Sequence, residues 1–165
     1  KKISEKKRER LYDEIIENAI SYSVGIVDQK EIDRVNILNA TKAGLTECIK
    51  GLKVKPEIIL VDALTGIDTC GIPYHSIVKG DAKSYSIAAA SIIAKTKRDM
   101  LVEEINKEYI RSTKDRAGIG SGYPSDPKTK DFLKKYKYDE MPDFVRRSWG
   151  TVQKIKEAEE AEKLE

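Results

Sequence analysis

Cysteine is scarce in this chain. Only Cys48 and Cys70 occur among 165 residues, far apart and without a paired spacing, so no disulfide framework of the secreted kind is encoded and the expected location is the cytoplasm. The single histidine, His75, excludes a metal site built on clustered imidazoles. No apolar run approaches the roughly 18 residues that a bilayer-spanning helix requires, and no signal-peptide pattern opens the chain, so a membrane partner is not expected. An excess of one charge sign is nearly lacking too: 31 Lys+Arg face 28 Asp+Glu, a formal net charge of +3, which by itself gives little long-range attraction. The tail at 157–165 is mostly acidic, the pattern of a solvated helix end. They leave a basic body that suits a polyanionic partner, although the same charges also serve solubility.

What is present is a length suited to one domain with a real core and 39% apolar residues in recognisable periods. Ser4 is placed to cap an amphipathic helix over 5–18 with Leu11, Ile15 and Ala19 at a four-residue repeat. Residues 21–27 alternate, with Tyr22, Val24 and Ile26 on one side, and predict a half-buried strand. Helical spacing returns over 31–50, irregular near Asn36 and terminated by Gly51. The continuous apolar run 58–61 predicts a central strand covered on both faces and ends in Asp62. A second short strand is expected over 75–78, parallel to the first if the dozen or so intervening residues suffice for a crossover. A long helix follows over about 84–109, its first half crowded with small residues that imply burial. A Gly- and Pro-rich stretch, a helix around 131–136 and a final helix from about Arg146 complete the chain.

Asp62 and Asp81 both follow apolar strands, where ligands of open α/β sheets bind beyond the carboxyl ends. Carboxylates gathered there repel one another unless a cation lies between them, and hard divalent ions such as Mg²⁺ or Mn²⁺ are the natural occupants. Two such ions can clamp an in-line phosphoryl displacement. An aspartate after a strand is also commonly a turn former or cap, so placement alone leaves both roles open. His75 reads as structural, and Lys95 and Asp99, one turn apart, as an ion pair or as catalytic groups.

The wording around these positions is more specific. Val61-Asp62-Ala63, then Lys79-Gly80-Asp81-Ala82-Lys83, then 86–95 running on to Arg98-Asp99 resembles the core of the type 2 ribonucleases H (ribonuclease HII) in order and spacing. The opening Lys1–Arg8 is similar to the segment after that family's Asp-Ser motif. The stretch 120–129, Gly-Ser-Gly-Tyr-Pro-Ser-Asp-Pro-Lys-Thr, is similar to its archaeal branch, and Arg146-Arg147-Ser148-Trp149 to the stretch before its C-terminal helix.

The resemblance implies a ribonuclease H-like α/β fold, with a mixed central sheet flanked by helices over 1–145 and a C-terminal helix with an acidic tail over 146–165. It implies a monomeric endonuclease acting on RNA in RNA/DNA hybrids and at ribonucleotides embedded in duplex DNA by two-metal hydrolysis, with Asp62 and Asp81 as two of four metal-binding carboxylates and Mg²⁺ or Mn²⁺ as cofactor. Tyr123 would stack on the sugar at the RNA–DNA junction, where the 2′-hydroxyl distinguishes RNA, and Lys1 would contact a phosphate. Arg146 and Arg147 would either hold phosphates or pair with acidic side chains. The family's other two carboxylates, an Asp-Glu pair on a first strand, and its Gly-Arg-Gly loop should precede Lys1. The chain opens on Lys1-Lys2-Ile3 instead of methionine, as a sequence entered midway would. A sheet lacking its first strands, and with half of the metal ligands, is therefore expected for the chain by itself, and a catalytically inactive RNA/DNA duplex-binding module is the alternative function.

Overall fold

The computed structural model describes residues 3–163; Lys1, the expected phosphate contact, lies outside the described residues. The elements in chain order are helices α1 (Glu5–Asn18), α2 (Gln29–Val35) and α3 (Ile37–Gly51), strands β1 (Ile59–Asp62) and β2 (Tyr74–Ile77), then α4 (Gly80–Lys83), α5 (Tyr85–Thr113), α6 (Pro127–Leu133), a 3₁₀ turn at Tyr138–Glu140, and α7 (Gly150–Glu162). They divide between two compact units. The first takes the chain to Val27 and from Val35 to Arg98, and the second takes Asp28–Arg34 and the chain from Asp99 on. Among the described residues, no helix is long and apolar enough to cross a membrane.

In the first unit, Ser4 caps α1 as its sequence predicts, its hydroxyl accepting from the Lys7 N–H at 3.4 Å. The break near Asn36 is sharper than an irregularity. Asn36 sits at φ 70°, and its side chain accepts from the Asn39 N–H at 3.0 Å, capping α3 while α2 ends behind it. Asparagine tolerates this left-handed region better than other side chains with a Cβ. The segment 21–27 forms no strand. Alternation decides which face is buried, but a ladder also needs a neighbouring backbone. Here Gly25 instead lies against α3, donating its N–H to Cys48 Sγ at 2.9 Å, and a Cβ on Gly25 would meet the Gly44 carbonyl at 2.3 Å.

The sheet among the described residues is β1 and β2, parallel, with Ile59 opposite Tyr74 and Asp62 opposite Ile77. The second strand begins at Tyr74, one residue earlier than its apolar run suggests. The continuous run of β1 predicts cover on both faces, yet only Val61 is buried while Leu60 keeps 37% of its surface and Ile58 46%. No described strand pairs with the far edge of β1, and Ile58 and Leu60 border an open cleft that leaves them partly uncovered.

The second unit holds the larger core. Tyr109, Ile119, Phe132, Leu133, Met141, Val145 and Val152 form one buried cluster, with Phe144, Trp149 and Tyr136 packed against it. Phe132 meets Tyr109 edge to face at 5.2 Å and stacks on Phe144 at 6.0 Å. Helix α6 begins at Pro127, earlier than the apolar pattern predicts, because Asp126 caps it and Pro127 fills its first turn, where the missing N–H costs nothing. Helix α7 begins at Gly150 and not at Arg146; residues 146–148 are held in a bend by Asp33 from α2.

Leu133 retains 1% of its surface, so Leu133→Ala should lower unfolding free energy by about 2–5 kcal/mol, read by urea denaturation. The Asp126 carboxyl is held down to about 2, first by the backbone N–H of Ser121, then by the Ser121 hydroxyl, against burial, with further bonds from Lys128 and Thr129. A carboxylate depressed below its unfolded value of about 3.9 contributes stability that is fully present above that pH and lost as pH falls through the folded value. Asp126→Asn should therefore flatten the loss of stability between pH 4 and 2, measured by urea unfolding across that range.

Candidate active site

The parallel ladder sets the geometry of the first unit's site. Parallel strands carry their carboxyl ends to the same end of the sheet, so Asp62 closes β1 beside the end of β2. From there the chain turns through Lys79, at φ 55°, into α4, which carries Asp81 in its first turn. Asp62 Oδ1 accepts the Gly80 N–H at 2.8 Å. Gly80 is buried, and a Cβ there would stand 3.4 Å from the Asp62 Cα and 2.6 Å from Ile87 Cδ1. The absence of a side chain at Gly80 thus lets the turn close on the end of β1.

Asp62 and Asp81 line one open, mostly apolar cleft of about 480 Å³. Ser23 lines it as well, as do Ile58, Leu60 and, from α5, Ala90, Ser91 and Ala94. The small residues at the start of α5 were expected to be buried, but they instead border this open space, and Ala90 and Ala94 are exposed. Among the described residues, no group of three or more His, Cys, Asp or Glu is placed to hold a metal ion. The site as described therefore offers two carboxylates, one of them with an oxygen already engaged by a backbone N–H. His75 lies in β2, within the strand as predicted.

Tyr123 belongs to the second unit. The loop carrying it is shaped by Gly120 and Gly122, at φ 71° and 68°. A Cβ at Gly120 would meet the Thr129 backbone at 2.6 Å. Asp126 organises the same loop by accepting the Ser121 N–H at 2.6 Å and donating its own N–H to the Tyr123 carbonyl at 3.0 Å. Tyr123 keeps 42% of its surface, and its hydroxyl lies 3.5 Å from Asp99 Oδ1.

The two arginines differ sharply. Arg147 turns its guanidinium inward, donating to the carbonyls of Tyr138 and Met141 and lying over the Tyr138 ring at 5.4 Å. Arg146 donates Nε to Ser148 Oγ at 2.8 Å, and the same Nε is 3.7 Å from Asp33 Oδ1. Its terminal amino groups have no protein acceptor among the described residues. Asp33 also accepts the N–H groups of Arg147 and Ser148 at 2.8 and 3.1 Å. Burial pushes the Asp33 carboxyl up, but its hydrogen bonds from Ser148 and Arg147 and the nearby Arg146 charge outweigh that and hold it below the ordinary value. Nothing local in the sequence signals this role, because Asp33 meets residues 114 and 115 positions away.

Compared with known proteins, residues 1–152 match the family model described as Ribonuclease HII. A ribonuclease HII of Acetivibrio thermocellus is 51% identical over 109 residues, covering 66% of this chain and 42% of the relative. One from Methanobrevibacter smithii is 41% identical over 143 residues, covering 81% of this chain and 66% of the relative. The chain thus spans less than two thirds of the length of these curated relatives. Among solved structures, ribonuclease H2 from Pyrococcus horikoshii OT3 aligns with a TM-score of 0.78 at 31% identity, over 95% of this chain and 78% of the other. A ribonuclease HII from Archaeoglobus fulgidus, solved in complex with PCNA, aligns at 0.72 and 30% identity, over 94% of this chain and 78% of that one. The chain shares the ribonuclease H-like fold of these structures, as its sequence predicts.

Proposed function

We propose, from the premise that this chain belongs to the ribonuclease HII family, that it serves endonucleolytic hydrolysis of RNA in RNA/DNA hybrids and at ribonucleotides embedded in duplex DNA. Cleavage falls on the 5′ side of the ribonucleotide and leaves a 3′-hydroxyl. The observation that carries this reading is the placement of Asp62 and Asp81 on one cleft at the carboxyl end of the parallel ladder. Their oxygen donors fit a hard divalent cation, and Mg²⁺ is commonly held by one or two carboxylates, with water and substrate phosphate completing the shell. Asp62 and Asp81 would hold Mg²⁺ or Mn²⁺ in this way. When bound, such an ion activates water and neutralises charge on the phosphoryl group.

The chain's own contributions are orientation and grip. The Gly80 N–H engages Oδ1 of Asp62, and Oδ2 would be the oxygen that meets a cation. Tyr123 stacks against the sugar at the RNA–DNA junction, where a 2′-hydroxyl marks the ribonucleotide. Arg146 meets a backbone phosphate, with a guanidinium fork that suits that geometry. Arg147 is assigned to holding its own loop, since its donors are already occupied.

A second reading has its own support. A two-metal site requires donors beyond this pair, and no third acidic, histidine or cysteine group joins them among the described residues. Residues 3–163 alone would then bind the duplex without cutting it.

Incubation with a duplex carrying one ribonucleotide, with Mn²⁺ or Mg²⁺, separates the two. Cleavage, reduced more than about 100-fold in Asp62→Asn, is expected; that exceeds the 10–100-fold typical of residues that only support a ligand. Binding without cleavage would transfer support to the second reading. A thermal-unfolding scan gives an independent check: Mn²⁺ should raise the midpoint of the unmodified chain, and should do so less in Asp62→Asn and Asp81→Asn.

A further inference from the structure

Two adjacent arginines of the second unit end in opposite surroundings, and one carboxylate accounts for the difference. Asp33 receives the backbone N–H groups of Arg147 and Ser148, one on each oxygen, while Oδ1 also faces Arg146 Nε. These contacts fix the bend immediately before α7, whose capping position, Trp149, supplies no side-chain cap. The bend in turn places the Ser148 hydroxyl where it accepts from Arg146 Nε. With Nε engaged, the Arg146 side chain is three-quarters covered, at 24% exposure, and its rotation is restricted. What remains is the pair of terminal amino groups, the part of guanidinium that matches two phosphate oxygens.

We propose that Asp33 is a positioning residue for a nucleic-acid phosphate subsite at Arg146. It holds the guanidinium stem through residues 146–148 and leaves the terminal amino groups for one backbone phosphate. The inference rests on the reading that the chain binds an RNA/DNA duplex, and goes beyond it by assigning a role to a residue of α2. Asp33 acts through Arg146 and touches no phosphate itself.

The sign of one substitution tests this. By charge alone, Asp33→Asn removes a negative group and should tighten binding to a polyanion; a positioning role demands weaker binding. Affinity of the full chain for an RNA/DNA hybrid is measured by fluorescence anisotropy in a salt series, without divalent metal so that cleavage does not interfere. Arg146→Gln should weaken binding roughly tenfold and reduce the salt slope by about 1, the loss of one phosphate contact. Asp33→Asn should weaken it roughly three- to tenfold in the same assay. In the Arg146→Gln background, Asp33→Asn should bring no further loss. Ser148→Ala, which removes the Nε acceptor and the Ser148 hydroxyl bond to Asp33 while keeping the Asp33 charge, is the second variant should Asp33→Asn fail to fold, and it should weaken binding in the same direction.

Unchanged or tighter binding by folded Asp33→Asn overturns the proposal. An equal loss with and without Arg146 also overturns it, since the effect would then be general destabilisation. Full affinity in Arg146→Gln overturns this subsite while leaving the functional reading intact, whereas no hybrid binding by the unmodified chain removes that reading and this inference together.

Discussion

Everything in the first unit that concerns chemistry depends on four residues of β1 lying parallel to four of β2. Parallel pairing is the weaker kind per residue, and here it is short, but it has a consequence antiparallel pairing would not have: both chains leave the sheet at the same end. The Ala63 N–H donates to the Ile77 carbonyl at 3.1 Å, extending the ladder one step past Asp62. The Asp62 carboxylate then reaches across to the Gly80 N–H. Strand, turn and α4 are thereby tied at the point where the second aspartate appears. Asp62 is exposed, so it can serve the turn through one oxygen and still present the other to a ligand. The reading of such an aspartate as a turn former and the reading of it as a metal ligand are therefore compatible.

The second unit obeys a different constraint, a buried aromatic core that must satisfy polar tips. The Tyr109 hydroxyl donates to Asp115 at 3.0 Å and lies 2.8 Å from the Tyr136 hydroxyl. A phenol has one proton, so with Tyr109 donating to Asp115, Tyr136 is the donor of the second bond. Burial, then the bonds to Tyr136 and Asp115, push the Tyr109 phenol far above its ordinary value. The Lys135 ammonium foremost, with the Ala117 N–H, holds the Asp115 carboxyl below its own. These shifts keep Tyr109 neutral and Asp115 charged together. A similar division of labour governs the loop ahead of α6, where Asp126 caps the helix with one oxygen through Lys128 and gathers Ser121 and Thr129 with the other. Tyr123 lies within that closed loop, so its backbone is set by a cap whose first purpose is to start a helix.

Sequence periodicity made α1 and α3 legible, because each carries an apolar repeat and a cap or terminator close to its ends, while α5 was legible from its run of small residues. It also placed Asp62 at a strand end, whereas Asp81 lies in the first turn of α4, past the end of β2 at Ile77. It misjudged residues 21–27 because alternation encodes a half-buried face and says nothing about whether a neighbouring strand exists. The same gap explains β1: a continuous apolar run specifies a residue suited to cover on both faces, and Leu60 is nevertheless open. The start of α6 was readable in Asp126-Pro127, a cap followed by a residue that needs no N–H, but the apolar Phe132-Leu133 pair drew the expected helix toward its end. Asp33 lay beyond any local rule, since its carboxylate is defined by backbone groups more than a hundred residues away.

Arg146 and Arg147 show why residue type alone left their roles open. Both are arginines in one tetrapeptide, and both could pair, stack or bind an anion. Arg147 spends its planar donors on two carbonyls and its face on the Tyr138 ring, a combination that a lysine ammonium, a compact charge without a fork, does not reproduce. The guanidinium ties the loop from inside, and the N–H groups of residues 147 and 148 are presented as a pair to a single carboxylate. Asp33 occupies that position, and its negative charge then restrains Arg146. The two arginines therefore share one carboxylate-held bend but differ in what they leave over: Arg147 has its guanidinium tied into the loop, while Arg146, three-quarters covered, is engaged through Nε.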